Sequence, residues 1–117
     1  MSAEHMLPNQ PAPLDTPTLV ARCRAIADRL DAATALAPSP LQMQIARRER
    51  DLSQLRDGLI ARLRAAVPDD DIAHTRAALT GINIALSLVV GVEYPSGALD
   101  RTLLTQAATI LRGVATG

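Results

Sequence analysis

A run of sixteen residues without a charge, from Ala77 to Val92, is the feature that most constrains the fold of this chain. As an α-helix the run would be about 24 Å long, whereas the hydrocarbon core of a bilayer is about 30 Å thick. The run also contains Thr80, Asn83 and Ser87. Because it is short and partly polar, we predict a buried helix of a soluble domain and no contact with a membrane.

At 100° per residue, this helix divides into one polar strip and two apolar flanks. The polar strip is made up of Arg76, Thr80, Asn83 and Ser87. A helix that is apolar over most of its circumference is buried on more than one side, so the flanks are predicted to be core or interface. The residues that we assign to this role are Ala77, Gly81, Ile82, Ala85, Leu86 and Val89.

Gly81 and Asn83 are unusual residues for such a helix. A glycine costs about 1 kcal/mol relative to alanine, so Gly81 indicates either the close approach of a neighbour or a tolerated imperfection. A buried Asn83 would fix the register or oligomeric state by requiring a matching partner. An exposed Asn83 would simply belong to the polar strip. The sequence leaves both pairs of alternatives open.

The composition of the whole chain is typical of a single all-helical domain. The chain has 117 residues, is rich in Ala and Leu, and has Tyr94 as its only aromatic residue. Its twelve basic and twelve acidic residues balance, so no overall field attracts nucleic acid or anionic lipid. All the basic residues are Arg, which together with the abundant Ala is typical of a GC-rich bacterial genome. A single Cys23 and no signal-peptide pattern favour the cytoplasm.

Prolines and glycines divide the chain into an arm and four helices. Residues 1–15 are predicted to be a flexible Pro-rich arm, and residues 16–117 a single helical domain. The predicted helices span about 16–37, 40–67, 70–92 and 97–113, with a turn at EYPSG, residues 93–97. Thr16 before Pro17, and Ser39 with Gln42 three positions later, predict helix caps. Short breaks favour antiparallel neighbours, so the predicted fold class is all-α: antiparallel helical hairpins forming a small four-helix bundle-like domain with the third helix central.

The second predicted helix combines an apolar stripe with a group of arginines. Arg48 interrupts the stripe, so the first turns are predicted to be less buried than the last. The basic residues that form a predicted basic surface are Arg47, Arg48, Arg50, Arg56, Arg62 and Arg64. They suggest a nucleic-acid-associated regulator as an alternative function, although the helix has no aromatic residue to stack on bases. An acidic protein partner or simple solubility would explain the same residues.

The residues that could support catalysis or metal binding are few and far apart in the sequence. His5 lies on the arm, His74 lies near the start of the third helix, and Cys23 lies on an apolar seam. Consecutive carboxylates at residues 69–71 are explained as partners of the helix dipole. No glycine-rich phosphate loop is present. We therefore predict no enzyme activity, no catalytic residue, no metal and no cofactor.

The stretch LTGINIALSLVVG, residues 79–91, is similar in composition to the C-terminal helix of the TraM-type quorum-sensing antiactivators. Those are small helical proteins that dimerise and sequester a transcription factor. The resemblance covers little more than a dozen residues, most of them aliphatic, and the rest of the chain does not follow it. It therefore implies no role for any individual residue.

The excess of apolar helix surface predicts a protein that acts by helix packing. We expect a small non-enzymatic interaction factor, such as an adaptor, a chaperone-like protein or an antiactivator-type regulator. Its partners are expected to be another protein and a second copy of itself in a homodimer, with nucleic acid unlikely to bind.

Overall fold

The structure is a computed structural model that describes residues 12–65, 69–92 and 100–116. The chain forms helices α1 (Thr16–Ala33), α2 (Pro38–Arg64), α3 (Asp69–Val90) and α4 (Thr102–Thr116). No strand occurs within these three ranges. The predicted all-α, four-helix fold is therefore confirmed. The predicted turn at residues 93–97 lies outside the described ranges.

The four helices form a compact bundle in which neighbours follow the order α1, α4, α3, α2. Helix α4 packs against both α1 and α3, and α3 also packs against α2. Contact between α1 and α2 is much sparser, and α1 does not pack against α3. The predicted central position of the third helix is not confirmed, because α3 has two neighbours rather than three.

The core is aliphatic, and each helix contributes one face to it. Burial of one such side chain contributes about 1.5–3 kcal/mol. The largest fully buried side chains include Leu19, Leu30, Leu41, Leu52, Leu55, Leu59, Ile82, Leu104 and Leu111. On α2 the prediction of less buried first turns is confirmed, since eight residues between Pro38 and Arg50 are exposed, but only Gln54 and Arg64 are exposed in the rest of the helix. Leu41 is nevertheless 0% exposed, and even Arg48 is buried. The predicted stripe is continuous because Arg48 is part of it.

Helix α1 begins at Thr16 as predicted, but its cap is Asp15. The carboxylate oxygen Oδ1 of Asp15 accepts a hydrogen bond of 2.7 Å from the N–H of Thr18. This bond lowers the pKa of Asp15 below its ordinary value of 3.8. The helix ends at Ala33, four residues before the predicted end. Just beyond it, the hydroxyl of Thr34 donates to the carbonyl oxygen of Asp31 at 2.6 Å.

Helix α2 begins at Pro38, two residues earlier than predicted, and the predicted cap at Ser39 is wrong. The cap residue is Ala37, which is extended and makes no side-chain hydrogen bond. The first N–H groups of a helix have no partner within it, and proline has no N–H. Pro38 and Pro40 thus remove two donors that a capping side chain would otherwise have to satisfy.

The remaining helix ends differ from the prediction by a few residues. Helix α2 ends at Arg64, and residues 66–68 beyond it lie outside the described ranges. Helix α3 ends at Val90 rather than residue 92. Helix α4 begins at Thr102 rather than residue 97, because Asp100 Oδ1 accepts a hydrogen bond of 3.1 Å from the N–H of Thr102. It continues past Gly113, the predicted end, to Thr116.

Residues 12–15, here called the N-terminal segment, are packed on α2 although the sequence placed them in the flexible arm. The N–H of Leu14 donates to the carbonyl oxygen of Gly58 at 3.1 Å. Arg62 donates to the carbonyl oxygen of Leu14 at 3.2 Å and to the hydroxyl of Thr16 at 2.9 Å. The side chain of Leu14 is buried in the core. The folded domain therefore begins earlier than predicted.

Candidate functional site

The side of α3 that faces solvent has no charged residue between Ala77 and Val90. We call this surface the uncharged face. Its exposed residues are Ala77, Thr80, Asn83, Ile84, Ser87 and Val90. Ile84 is 47% exposed and Val90 is 55% exposed, which places both among the large apolar side chains that the bundle leaves uncovered. A broad, weakly polar surface of this kind is typical of a region that packs against something else.

All four residues of the predicted polar strip are exposed on this side of α3: Arg76, Thr80, Asn83 and Ser87. The hydroxyl of Thr80 donates to the carbonyl oxygen of Arg76 at 3.0 Å, so its hydrogen bond is satisfied within the helix. Asn83 is exposed in the single chain and does not act there as a buried register residue. Within the polar strip, Thr80 therefore has a partner inside the helix, whereas Arg76 and Asn83 present polar groups to solvent.

Three of the six residues predicted as core or interface are buried, and the other three are at least partly exposed. Ile82, Ala85 and Val89 are buried in the core. Gly81 and Leu86 are half-buried, and Ala77 is exposed. Ile84, which sequence reasoning did not select, lies on the uncharged face. The sequence signal that could have identified Ile84 is the absence of charged residues both before and after it in this part of the chain.

Gly81 packs tightly against α4. A Cβ atom placed on Gly81 would lie 2.5 Å from Cγ2 of Val114, much closer than side-chain atoms normally come. A shallow cleft beside this contact is lined in part by His74, Ala77 and Gly113. The close-approach explanation of Gly81 therefore holds, and the neighbour is a side chain of the same chain.

The segment Ile72–Val90 is long and apolar enough, by length and composition, to cross a membrane, with a mean hydropathy of 1.2. A core helix of a soluble protein passes the same test, but such a helix is mostly buried. In this bundle 28% of the segment is buried. The bundle thus covers α3 less completely than the sequence predicts, and the uncovered part is the uncharged face.

The six arginines of α2 are divided among different roles. Arg47, Arg50 and Arg64 are exposed, whereas Arg48 is buried. Arg48 pairs with Asp51 at 3.0 Å, Arg56 pairs with Asp57 at 3.4 Å, and Arg62 binds the N-terminal segment. Since three of the six take part in contacts within the fold, they do not form one continuous basic surface. This weighs against α2 as a nucleic-acid-binding helix.

The residues considered for catalysis are separated in the structure. Cys23 is fully buried, and burial raises the pKa of its thiol to about 11, so it is protonated at neutral pH. His74 is half-buried on α3. Within the described ranges, no group of three or more His, Cys, Asp and Glu residues could hold a metal ion. His5 and the side chains of residues 69–71 lie outside what the structure describes.

The uncharged face of α3 combines three features that bear on binding. The uncharged face offers exposed apolar groups, side chains small enough for close packing, and the hydroxyl of Thr80, which already donates within the helix. Such a face can lie against a helix or sheet of another protein. Comparison of the chain with family models, with curated proteins and with solved structures found no match.

Proposed function

We propose that this protein is a small, non-enzymatic interaction factor that binds protein partners through the uncharged face of α3, and that it forms a homodimer through this face. We expect it to act in the cytoplasm as an adaptor, a chaperone-like factor or an antiactivator-type regulator. The observation that carries the proposal is the exposure of Ile84 and Val90 on a surface without charge.

The contrast with the other helices of the same molecule supports this proposal. The exposed sides of α1 and α2 contain charged residues such as Arg24, Asp28 and Arg50, and Arg112 is exposed on α4. Charged residues on the solvent side of a helix are the ordinary arrangement in a soluble bundle. The uncharged face departs from that arrangement over about four helical turns, which favours a surface that is covered in the working protein.

A two-fold symmetric pair fits this surface well. In such a dimer the same patch lies on both sides of the interface, so each apolar residue contributes twice. Ile84 and Val90 would supply the apolar contacts, and Ala77 and Ser87 are small enough to let the two helices approach closely. Asn83 from the two copies could then pair across the axis and fix the register.

Sedimentation velocity over a range of protein concentrations tests the proposal directly. We expect the wild-type chain to form dimers and Ile84→Arg to be monomeric, because the substitution buries an unpaired charge in the interface. A cost of this kind raises the dissociation constant of the dimer about a hundredfold or more. The matched control is Ala21→Arg, which adds the same charge at an exposed position of α1, the helix that does not pack against α3.

Several outcomes would contradict the proposal. One is a wild-type chain that stays monomeric at every concentration and captures no protein partner through Ile84. Another is a dimer that Ile84→Arg leaves intact while circular dichroism shows a normal fold. A third is co-sedimentation with lipid vesicles that Ile84→Arg abolishes, because the face would then bind lipid rather than protein.

A further inference from the structure

The contact between α1 and α2 is the most open one in the bundle, and it contains a cleft near the C-terminal end of α1. The volume of this cleft is about 420 Å³, which is within the range of small-molecule binding sites. We call it the arginine cleft. The residues that matter for its chemistry are Arg29, Ala32, Leu36, Gln44, Arg47 and Arg48.

Arg48 is the most unusual residue of the arginine cleft. It is 6% exposed and lies on the core-facing side of α2 between Ile45 and Leu52, which are themselves buried. A buried charge is strongly unfavourable unless it is paired and hydrogen-bonded. Nε of Arg48 lies 3.0 Å from Oδ2 of Asp51, but the geometry is not that of a hydrogen bond, and both atoms remain without a hydrogen-bond partner. One carboxylate therefore satisfies this guanidinium poorly.

The other two arginines of the cleft add positive charge near Arg48. Arg29 comes from α1 and Arg47 from α2, and neither pairs with a carboxylate among the described residues. Burial lowers the pKa of Arg48, Asp51 opposes this effect, and the charges of Arg29 and Arg47 add to the lowering. Three guanidinium groups against the one carboxylate of Asp51 leave an excess of two positive charges at the cleft.

We propose that the arginine cleft binds the phosphate group of a small phosphorylated molecule, held by Arg29, Arg47 and Arg48. A phosphate monoester carries close to two negative charges at neutral pH, which matches the excess of the cleft. Guanidinium groups bind phosphate oxygens in a bidentate geometry, and three of them can share the oxygens of one phosphate. Ala32 and Leu36 provide an apolar wall for the remainder of the ligand, and Gln44 offers one further polar contact.

The site is independent of the dimer proposed above. Arg29, Arg47 and Arg48 lie on α1 and α2, whereas the uncharged face is the solvent side of α3 and contains none of them. A dimer that fails to form would leave the cleft as it is. A cleft that binds no phosphate would likewise leave the uncharged face unchanged, so the two proposals fail separately.

Phosphorus NMR titration and calorimetry with inorganic phosphate and with phenyl phosphate test the site, using sodium chloride at equal ionic strength as the reference. We expect saturable binding of both probes to the full chain. Arg29→Gln and Arg47→Gln should each raise the dissociation constant about tenfold or more, since each removes a charge-assisted contact. Both residues are exposed, so the variants keep the core intact. Arg50→Gln, an exposed arginine of α2 outside the cleft, is the matched control and should bind as the wild type does.

Four results would overturn the proposal. The first is a titration into the millimolar range that shows no saturable binding. The second is an equal loss of affinity in Arg50→Gln, which would indicate attraction by general charge. The third is succinate binding as tightly as phosphate, which would exclude selection of a phosphate group. The fourth is a mixed-sequence oligonucleotide that binds more tightly than phenyl phosphate and depends equally on Arg50, which would indicate a nucleic-acid surface.

Discussion

Thr75 is a buried polar residue whose hydroxyl the fold does not satisfy. Its side chain on α3 is 0% exposed, and Oγ1 has no hydrogen-bond partner. Other threonines of the bundle donate to the carbonyl oxygen four residues earlier, as Thr80 does to Arg76 and Thr109 does to Thr105, each at 3.0 Å. An unsatisfied buried hydroxyl costs about 1–3 kcal/mol, so Thr75 is a source of instability in the core.

Replacing this hydroxyl by a methyl group should stabilise the protein. We expect Thr75→Val to raise the free energy of unfolding by about 1 kcal/mol, because valine keeps the shape of threonine and buries no unsatisfied donor. Urea denaturation monitored by circular dichroism measures the difference. The control is Thr109→Val, at an exposed position, which should change stability by less than about 0.5 kcal/mol. A Thr75→Val variant less stable than the wild type would mean that the hydroxyl has a partner after all.

The contact between α3 and α4 depends on the missing side chain of Gly81. Alanine is favoured over glycine in a helix by about 1 kcal/mol, so Gly81 persists in α3 against its own propensity. The reason is Val114, whose Cγ2 atom would lie 2.5 Å from an added Cβ. The next nearest side chain, Ile110, would be 3.8 Å away, which is an ordinary contact. The methyl group Cγ2 of Val114 is therefore the main steric obstacle to a side chain at position 81.

A double-mutant cycle isolates this contact. Gly81→Ala alone should lower the free energy of unfolding by about 1 kcal/mol, because the clash outweighs the gain in helix propensity. In the Val114→Ala background, the same substitution should raise it by about 1 kcal/mol, since the clash is gone and the propensity remains. Chemical denaturation of the wild type, the two single variants and the double variant gives the coupling free energy between positions 81 and 114. Equal effects of Gly81→Ala in both backgrounds would show that the two residues do not oppose each other.

The number and class of the helices could be predicted from the sequence, whereas their ends could not be placed to the residue. The breaks at Pro38 and near residue 68 are strong signals because proline cannot continue a helix. Asp15 and Thr16 are both good caps, and sequence alone does not decide between them. The absence of charge from residues 77–90 of α3 is likewise visible in the sequence. The exposure of Ile84 is not, because it depends on how many helices surround α3.

At the scale of the whole molecule, α1 is held mainly by its packing against α4 and by polar contacts near its two ends. Arg112 of α4 pairs with Asp28 at 2.9 Å and with Asp31 at 2.7 Å. Arg101 donates to the carbonyl oxygens of Thr34 and Leu36 just beyond the end of α1. At the other end, the N-terminal segment joins α1 to α2. Helices α1 and α2 make few contacts with each other, which leaves the arginine cleft open near the C-terminal end of α1.

The contacts of the N-terminal segment with α2 should therefore determine how firmly the start of α1 is attached to α2. Leu14→Ala removes a side chain that is 9% exposed, and we expect a loss of about 2 kcal/mol in the free energy of unfolding. Amide hydrogen exchange should accelerate in the first turns of α1 more than in the hairpin of α3 and α4. Ala12→Ser, at an exposed position of the same segment, is the control and should leave both measurements unchanged. Equal acceleration throughout the bundle would contradict this prediction, because Leu14 would then stabilise the core as a whole rather than the weak contact between α1 and α2.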